Sequence, residues 1–306
     1  MLSSEPFKVV VATMGLTHAD AATVRDVLEV RAAEGDLALF LDTADDPVVQ
    51  RILTPRVALT VAEHLAFDLD QHVLVIIADM TSYCEALREV SAARGEIPGR
   101  RAYPGYLYSD LASIYERCGR IRGRPGSLTL VPILTMPAGD ITHPVADLTG
   151  YITEGQIVLD RALDHQGVYP PINVLASLSR LFDQGTGEGF THADHPALAH
   201  QLFASYAKAV RVRVLASVVG ADGLAETDRG YLDFGNRFER ELVGQADARR
   251  LDDSLALGWQ LLRSLPRRGA VQASRAYIRW RASPIPGSCW TASPALFAAA
   301  KATQSR

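Results

Sequence analysis

An arginine closes the segment at residues 170–180, PPINVLASLSR, and its chemistry is narrow. The guanidinium of Arg180 is planar and always charged, so it suits two tasks. It can neutralise charge developing on a transferring phosphoryl group, or it can pair with a carboxylate of a neighbouring protein. Ser177 and Ser179, three residues and one residue before it, satisfy backbone groups of the loop more readily than they reach a ligand. A second candidate is Asp79, which ends the apolar run 73–78 (VLVIIA). A carboxylate at the carboxyl end of a buried parallel strand can orient magnesium-bound water, or it can cap the turn that follows, where Thr81 and Ser82 stand.

What is missing is equally specific. A phosphate-binding loop, G-x-x-x-x-G-K-[ST], needs a lysine after glycine and before serine or threonine. Lys8, Lys208 and Lys301 are the only lysines among 31 basic residues, and none has either neighbour. The chain is therefore expected not to hydrolyse ATP by itself. His192, His195 and His200 lack the carboxylate spacing of a metal motif, and Pro196 interrupts their helical geometry; a solvated helix start capped by Thr191 or Asp194 is expected. Residues 103–110 (YPGYLYSD) hold three tyrosines around a Pro-Gly turn after Arg100 and Arg101, a cluster suited to packing on a sheet or to an interface.

The elements that must position these residues follow from periodicity. Residues 8–14, 37–41, 73–78 and 127–134 are short, continuous apolar runs, and helical patterns over 17–33, 54–67 and from 83 onward separate them. That alternation predicts α/β architecture with a parallel sheet covered on both faces. Pro132 places the last run at an edge or bulge. The breaker-rich stretch 184–189 (QGTGEG) is the expected domain boundary. Beyond it, Leu224, Tyr231, Phe234, Phe238 and Leu242 fall mostly at spacings of three and four, and 251–265 is a further amphipathic helix. The expected domains are 1–185, 190–268 and a loosely ordered tail at 269–306.

Composition excludes several classes. The 306 residues are 48% hydrophobic and 22% charged, which fits a folded α/β chain with a proper core. A net charge of −4 gives no global reason to bind nucleic acid or an anionic membrane. Cys84, Cys118 and Cys289 form no C-x-x-C pair and offer no zinc framework; they suit a reducing, cytoplasmic setting. No apolar run approaches the ~20 residues of a membrane span.

Residues 52–68, 73–121, 132–159, 170–180 and 255–267 together resemble the non-catalytic B subunit of V- and A-type rotary ATPases. The resemblance implies an incomplete RecA-like (P-loop NTPase-like) α/β domain lacking the phosphate loop, followed by a helical bundle. It implies that Arg180 acts in trans as an arginine finger on the ATP site of a catalytic A subunit, with Mg-ATP or ADP bound mainly by A at the interface. Tyr106 would face the nucleotide base or a neighbour. The implied partners are A subunits alternating in an A3B3 ring, with central-stalk and peripheral-stalk subunits; membrane contact would come only through the complex. Relative to that family, Ala176 stands where proline is usual. The segment starting at residue 8 is expected to lie inside the nucleotide domain, so the chain resembles an N-terminally shortened form. A non-functional gene fragment and a stand-alone RecA-like ATPase are the competing expectations.

Overall fold

The computed structural model describes residues 7–220 and 223–265. The tail at 269–306 lies outside the described residues. The chain divides into two compact units at Thr153/Glu154.

In the first unit, β1 (Phe7–Leu16), α1 (His18–Ala33), β2 (Leu37–Thr43), α2 (Val48–Glu63), β3 (His72–Ala78), α3 (Met80–Ala93), α4 (Leu107–Tyr115), β4 (Ser127–Ile133) and α5 (Pro144–Ile152) alternate along the chain. The four strands form one parallel sheet in the order β2-β1-β3-β4. Their β-branched composition suits a pleated, buried surface. Val10 and Val11 on opposite faces of β1 are both buried, whereas β3 buries Val73, Val75 and Ile77 and leaves Leu74 and Ile76 half-buried. Pro132 sits on β4, which among the described residues has β3 as its only strand neighbour in the sheet, where a missing N–H is tolerated.

Helix α2 differs from expectation. It starts six residues before Thr54, because Pro47 in the cap position offers its carbonyl to the amide of Gln50 at 2.8 Å, and Pro55 is accommodated as a buried residue within the helix. A π-helical turn, His64–Asp68, extends it. The carboxyl end of β2 is fixed by a buried ion pair, in which Asp42 accepts from Arg51 Nε at 2.9 Å and from the amide of Gly15 at 3.0 Å.

The second unit opens with β5 (Gly155–Gln156), α6 (Arg161–His165), β6 (Leu178–Ser179) and α7 (Phe182–Gly185), then continues as α8 (His195–Val219), α9 (Glu226–Arg237) and α10 (Leu251–Arg263). The breaker-rich stretch 184–189 lies inside this unit. Leu163 and Val168 share one core with Leu198, Leu202, Phe234 and Leu262, so residues before the stretch pack with the helices after it. Gly235 lets α9 approach α8 closely, since a Cβ there would stand 2.8 Å from that of Ala209. Tyr206 stacks on Phe238 at 4.6 Å and donates its hydroxyl to the buried Glu239, which Arg213 grips with two hydrogen bonds of 2.8 and 2.9 Å.

Candidate functional site

The loop carrying Arg180 is half of an irregular antiparallel ribbon. Residues 171–180 run back along residues 154–160, with Gly155 opposite Ser179, Gln156 opposite Leu178 and Leu159 opposite Ile172. The register slips between the two ends because residues 173–177 form a turn, closed where the amide of Ser177 donates to the carbonyl of Asn173 at 3.1 Å. Only glycine fits at 155, because a Cβ there would stand 2.9 Å from the carbonyl oxygen of Leu178. The Tyr169–Pro170 peptide is cis.

Side chains lock the turn. Asn173 donates from Nδ2 to Asp160 Oδ2 at 3.0 Å and accepts the Ala176 amide on Oδ1 at 3.1 Å. Asp160 uses its other oxygen to cap α6 through the amide of Ala162 at 2.8 Å. The hydroxyl of Ser177 donates to the Asn173 carbonyl at 2.7 Å and accepts the Val158 amide at 2.9 Å. Ser179 takes its place through the strand pairing with Gly155.

Arg180 follows immediately. Its amide donates to the carbonyl of Glu154 at 2.8 Å, and Leu178, Ser179 and Arg180 are all exposed. A rigid backbone thus ends in a solvent-facing cation. A charged, planar donor on a fixed stem suits recognition of a phosphoryl group or a carboxylate supplied by another molecule.

Asp79 and Tyr106 belong to the first unit. Asp79 occupies the carboxyl end of β3 and the N-cap position of α3, after a cis Ala78–Asp79 peptide. Its Oδ1 accepts the Thr81 amide at 2.8 Å and the Thr135 amide at 3.0 Å, while the Thr81 hydroxyl donates to the Thr135 carbonyl at 2.7 Å. The carboxylate therefore caps a helix and ties the end of β4 to the end of β3. Tyr106 stands before the first turn of α4 and is 40% exposed. Burial of its hydroxyl and the neighbouring Glu96 raise its pKa.

Sequence reasoning missed the partner strand. Residues 154–160 carry no strong strand pattern; the signal is Gly155, a residue with a close backbone approach to explain. It also missed Phe182, whose ring meets the imidazoles of His195 and His200. A helix does start in the histidine cluster, α8 at His195 with Asp194 in the N-cap position, and His200 is exposed, as expected. The side-chain cap is not made: Asp194 caps nothing with its carboxylate, the Thr191 hydroxyl is taken up by the Gly187 amide and His195 Nδ1, and His195 is half-buried rather than solvated. Among the described residues, no group of three or more His, Cys, Asp and Glu side chains could hold a metal ion.

A parallel α/β sheet followed by a helical unit fits the architecture of a nucleotide-binding-domain protein. Comparison of the sequence with known families agrees. Residues 1–179 match the ATP synthase alpha/beta family, nucleotide-binding domain, and residues 184–279 match the C-terminal domain of V and A type ATP synthase. The chain belongs to the ATP synthase alpha/beta family, among its V/A-type B subunits.

It is 54% identical over 279 residues to an A-type ATP synthase B subunit of Methanospirillum hungatei, covering 90% of this chain and 61% of that protein. It is 56% identical over 278 residues to the V-type ATP synthase beta chain of an Anaeromyxobacter species, covering 90% and 60%. Among solved structures it resembles the ATP synthase subunit NeqB from Nanoarcheaum equitans, with 44% identity and a TM-score of 0.78 over 85% of this chain and 65% of that one. The chain thus spans about three fifths of the length of the curated relatives it matches.

Proposed function

We propose that this chain acts as the non-catalytic, regulatory B subunit of a V/A-type rotary ATPase that translocates protons or sodium ions. It alternates with the catalytic A subunit in an A3B3 ring at the cytoplasmic side of a membrane and contacts central-stalk and peripheral-stalk subunits. Contact with the membrane runs through the complex; no helix among the described residues is long and apolar enough to cross one. Mg-ATP or ADP sits at the A/B interface, bound mainly by A.

The observation that carries this reading is the placement of Arg180. The ribbon of residues 154–160 and 171–180 fixes its backbone and leaves it exposed, as a residue acting on another subunit's ligand must be. Its guanidinium meets the negative charge spread over the equatorial oxygens of the transferring γ-phosphoryl, and needs no proton transfer to do so. The chain's own residues supply positioning and charge; in this reading the phosphate-cradling loop and its lysine belong to A. Ser177 is spent on loop geometry and Asp79 on joining α3 to the end of β4. Tyr106 offers an exposed ring on which a base or a neighbouring subunit can rest.

Two measurements test the reading. The chain alone should show no ATP turnover. Co-expressed with a catalytic A subunit, it should elute as a heteromeric ring by size exclusion with light scattering, and that ring should hydrolyse ATP. Turnover by the isolated chain, or failure to associate with A, would overturn it.

A further inference from the structure

From residue 178 to residue 185 every residue is exposed except Phe182, two positions after Arg180. Its ring meets the His195 imidazole edge to face, with centroids 5.6 Å apart and planes at 85°, and meets that of His200 at 5.9 Å and 46°. Both histidines lie in the first two turns of α8, the long helix of this unit. His195 is itself fixed. Its Nδ1 stands 3.0 Å from the Thr191 hydroxyl, and that hydroxyl also accepts the Gly187 amide at 2.8 Å. Burial, and secondarily His192, hold the His195 pKa below its ordinary value. The carbonyl of Phe182 accepts the Thr186 hydroxyl at 2.7 Å, closing the short turn around the ring.

Two anchors therefore flank Arg180. On its N-terminal side the anchor is backbone, through Ser179 opposite Gly155 and the Arg180 amide on Glu154. On its C-terminal side, the ring of Phe182 is the side chain of α7 drawn out of solvent. We propose that Phe182, seated against His195 and His200, is a positioning residue for Arg180, transmitting the rigidity of α8 to the guanidinium's stem. This rests on the reading of Arg180 as a trans-acting residue. Removing the ring takes away the aromatic contact of α7 with α8 and leaves between them the wide, exposed His200–Asp183 pair of 3.9 Å, so that the stem of Arg180 gains freedom.

The test begins with the full chain alone. Phe182→Ala should lower the backbone order parameters of Arg180 and Leu181 from the rigid range of about 0.85 to below about 0.6 while α8 stays rigid. It should also move the His195 pKa upward, towards its ordinary value, as the imidazole gains solvent. Phe182→Met, which refills the gap with an apolar side chain, should restore both. In a ring with catalytic A subunits, Phe182→Ala should lower kcat by about ten- to a hundredfold with KM for ATP within about twofold, the mark of a misplaced rather than absent group. Unchanged order at Arg180 in the free chain overturns the inference. So does unchanged kcat in a ring where Arg180→Ala abolishes turnover; that result leaves the reading of Arg180 standing. Unchanged turnover in Arg180→Ala overturns that reading instead.

Discussion

Asp79 offers a substitution whose two versions separate two roles. Its Oδ1 accepts the amides of Thr81 and Thr135, at 2.8 and 3.0 Å. Asparagine keeps a side-chain oxygen at that position and caps helices about as well as aspartate, whereas alanine removes the acceptor. Each lost bond is worth about 1 kcal/mol, so Asp79→Ala should cost the first unit about 2 kcal/mol, and Asp79→Asn only a few tenths. The direct assay is native-state hydrogen exchange. At about 1 kcal/mol per bond, the Thr81 and Thr135 amides should exchange about fivefold faster in Asp79→Ala and near wild-type rates in Asp79→Asn. In an A/B ring, Asp79→Asn should also leave the affinity for Mg-ATP unchanged, because the two amides that Oδ1 accepts need an oxygen there and not a charge. An Asp79→Asn chain that is as stable as wild type but binds nucleotide much more weakly would refute the reasoning and assign the charge to magnesium.

Other consequences follow from the packing of the helical unit. Glu239→Ala removes a 3%-exposed carboxylate that holds Tyr206 and Arg213; with Arg213 partly exposed and able to find water, the loss should be about 2–4 kcal/mol by urea denaturation, and Glu239→Gln should recover part of it. Gly235→Val forces a side chain onto Ala209 and should destabilise by about 2 kcal/mol or more, read as faster amide exchange in α8 and α9. His143 and His195 are held neutral, chiefly by burial, with pKa values lowered in the folded chain. The unfolded chain then binds more protons, so stability is complete above the ordinary value of about 6.5 and declines as pH falls through it towards the lowered folded values. Urea midpoints between pH 7.5 and 5 should show that decline, and His195→Asn should flatten it for the second unit.

The parallel sheet was legible because its strands are continuous apolar runs, and 8–14, 37–41, 73–78 and 127–134 all lie within observed strands or one residue beyond. Strand order was not legible, since β1 and β3 are equally apolar and nothing local says that β1 sits between β2 and β3. The start of α2 was misplaced because Pro55 resembles a first-turn proline when no packing is in view. The backbone role of Ser177 in its loop was legible, but Glu154 and Gly155, which hold that loop, are ordinary residues whose role comes from a strand pairing across more than twenty positions. The histidines marked the start of α8, but their meeting with Phe182 is a contact between α7 and α8 that no helical period encodes. Packing of 154–185 with the helices was likewise hidden, because the breaker-rich stretch at 184–189 marks a change in composition and not a gap between cores.

The central claim is that Arg180 acts on a neighbour's nucleotide, and the most direct measurement is ATP turnover by an A/B ring carrying Arg180→Ala in this chain, with ring integrity checked by light scattering. An arginine acting there leaves an intact Arg180→Ala ring whose kcat falls by about 10³-fold or more, with Arg180→Lys recovering little because an ammonium cannot reproduce the planar fork. An intact Arg180→Ala ring turning over within about twofold of wild type would contradict it, and would leave Arg180 as a residue that pairs subunits without touching the chemistry.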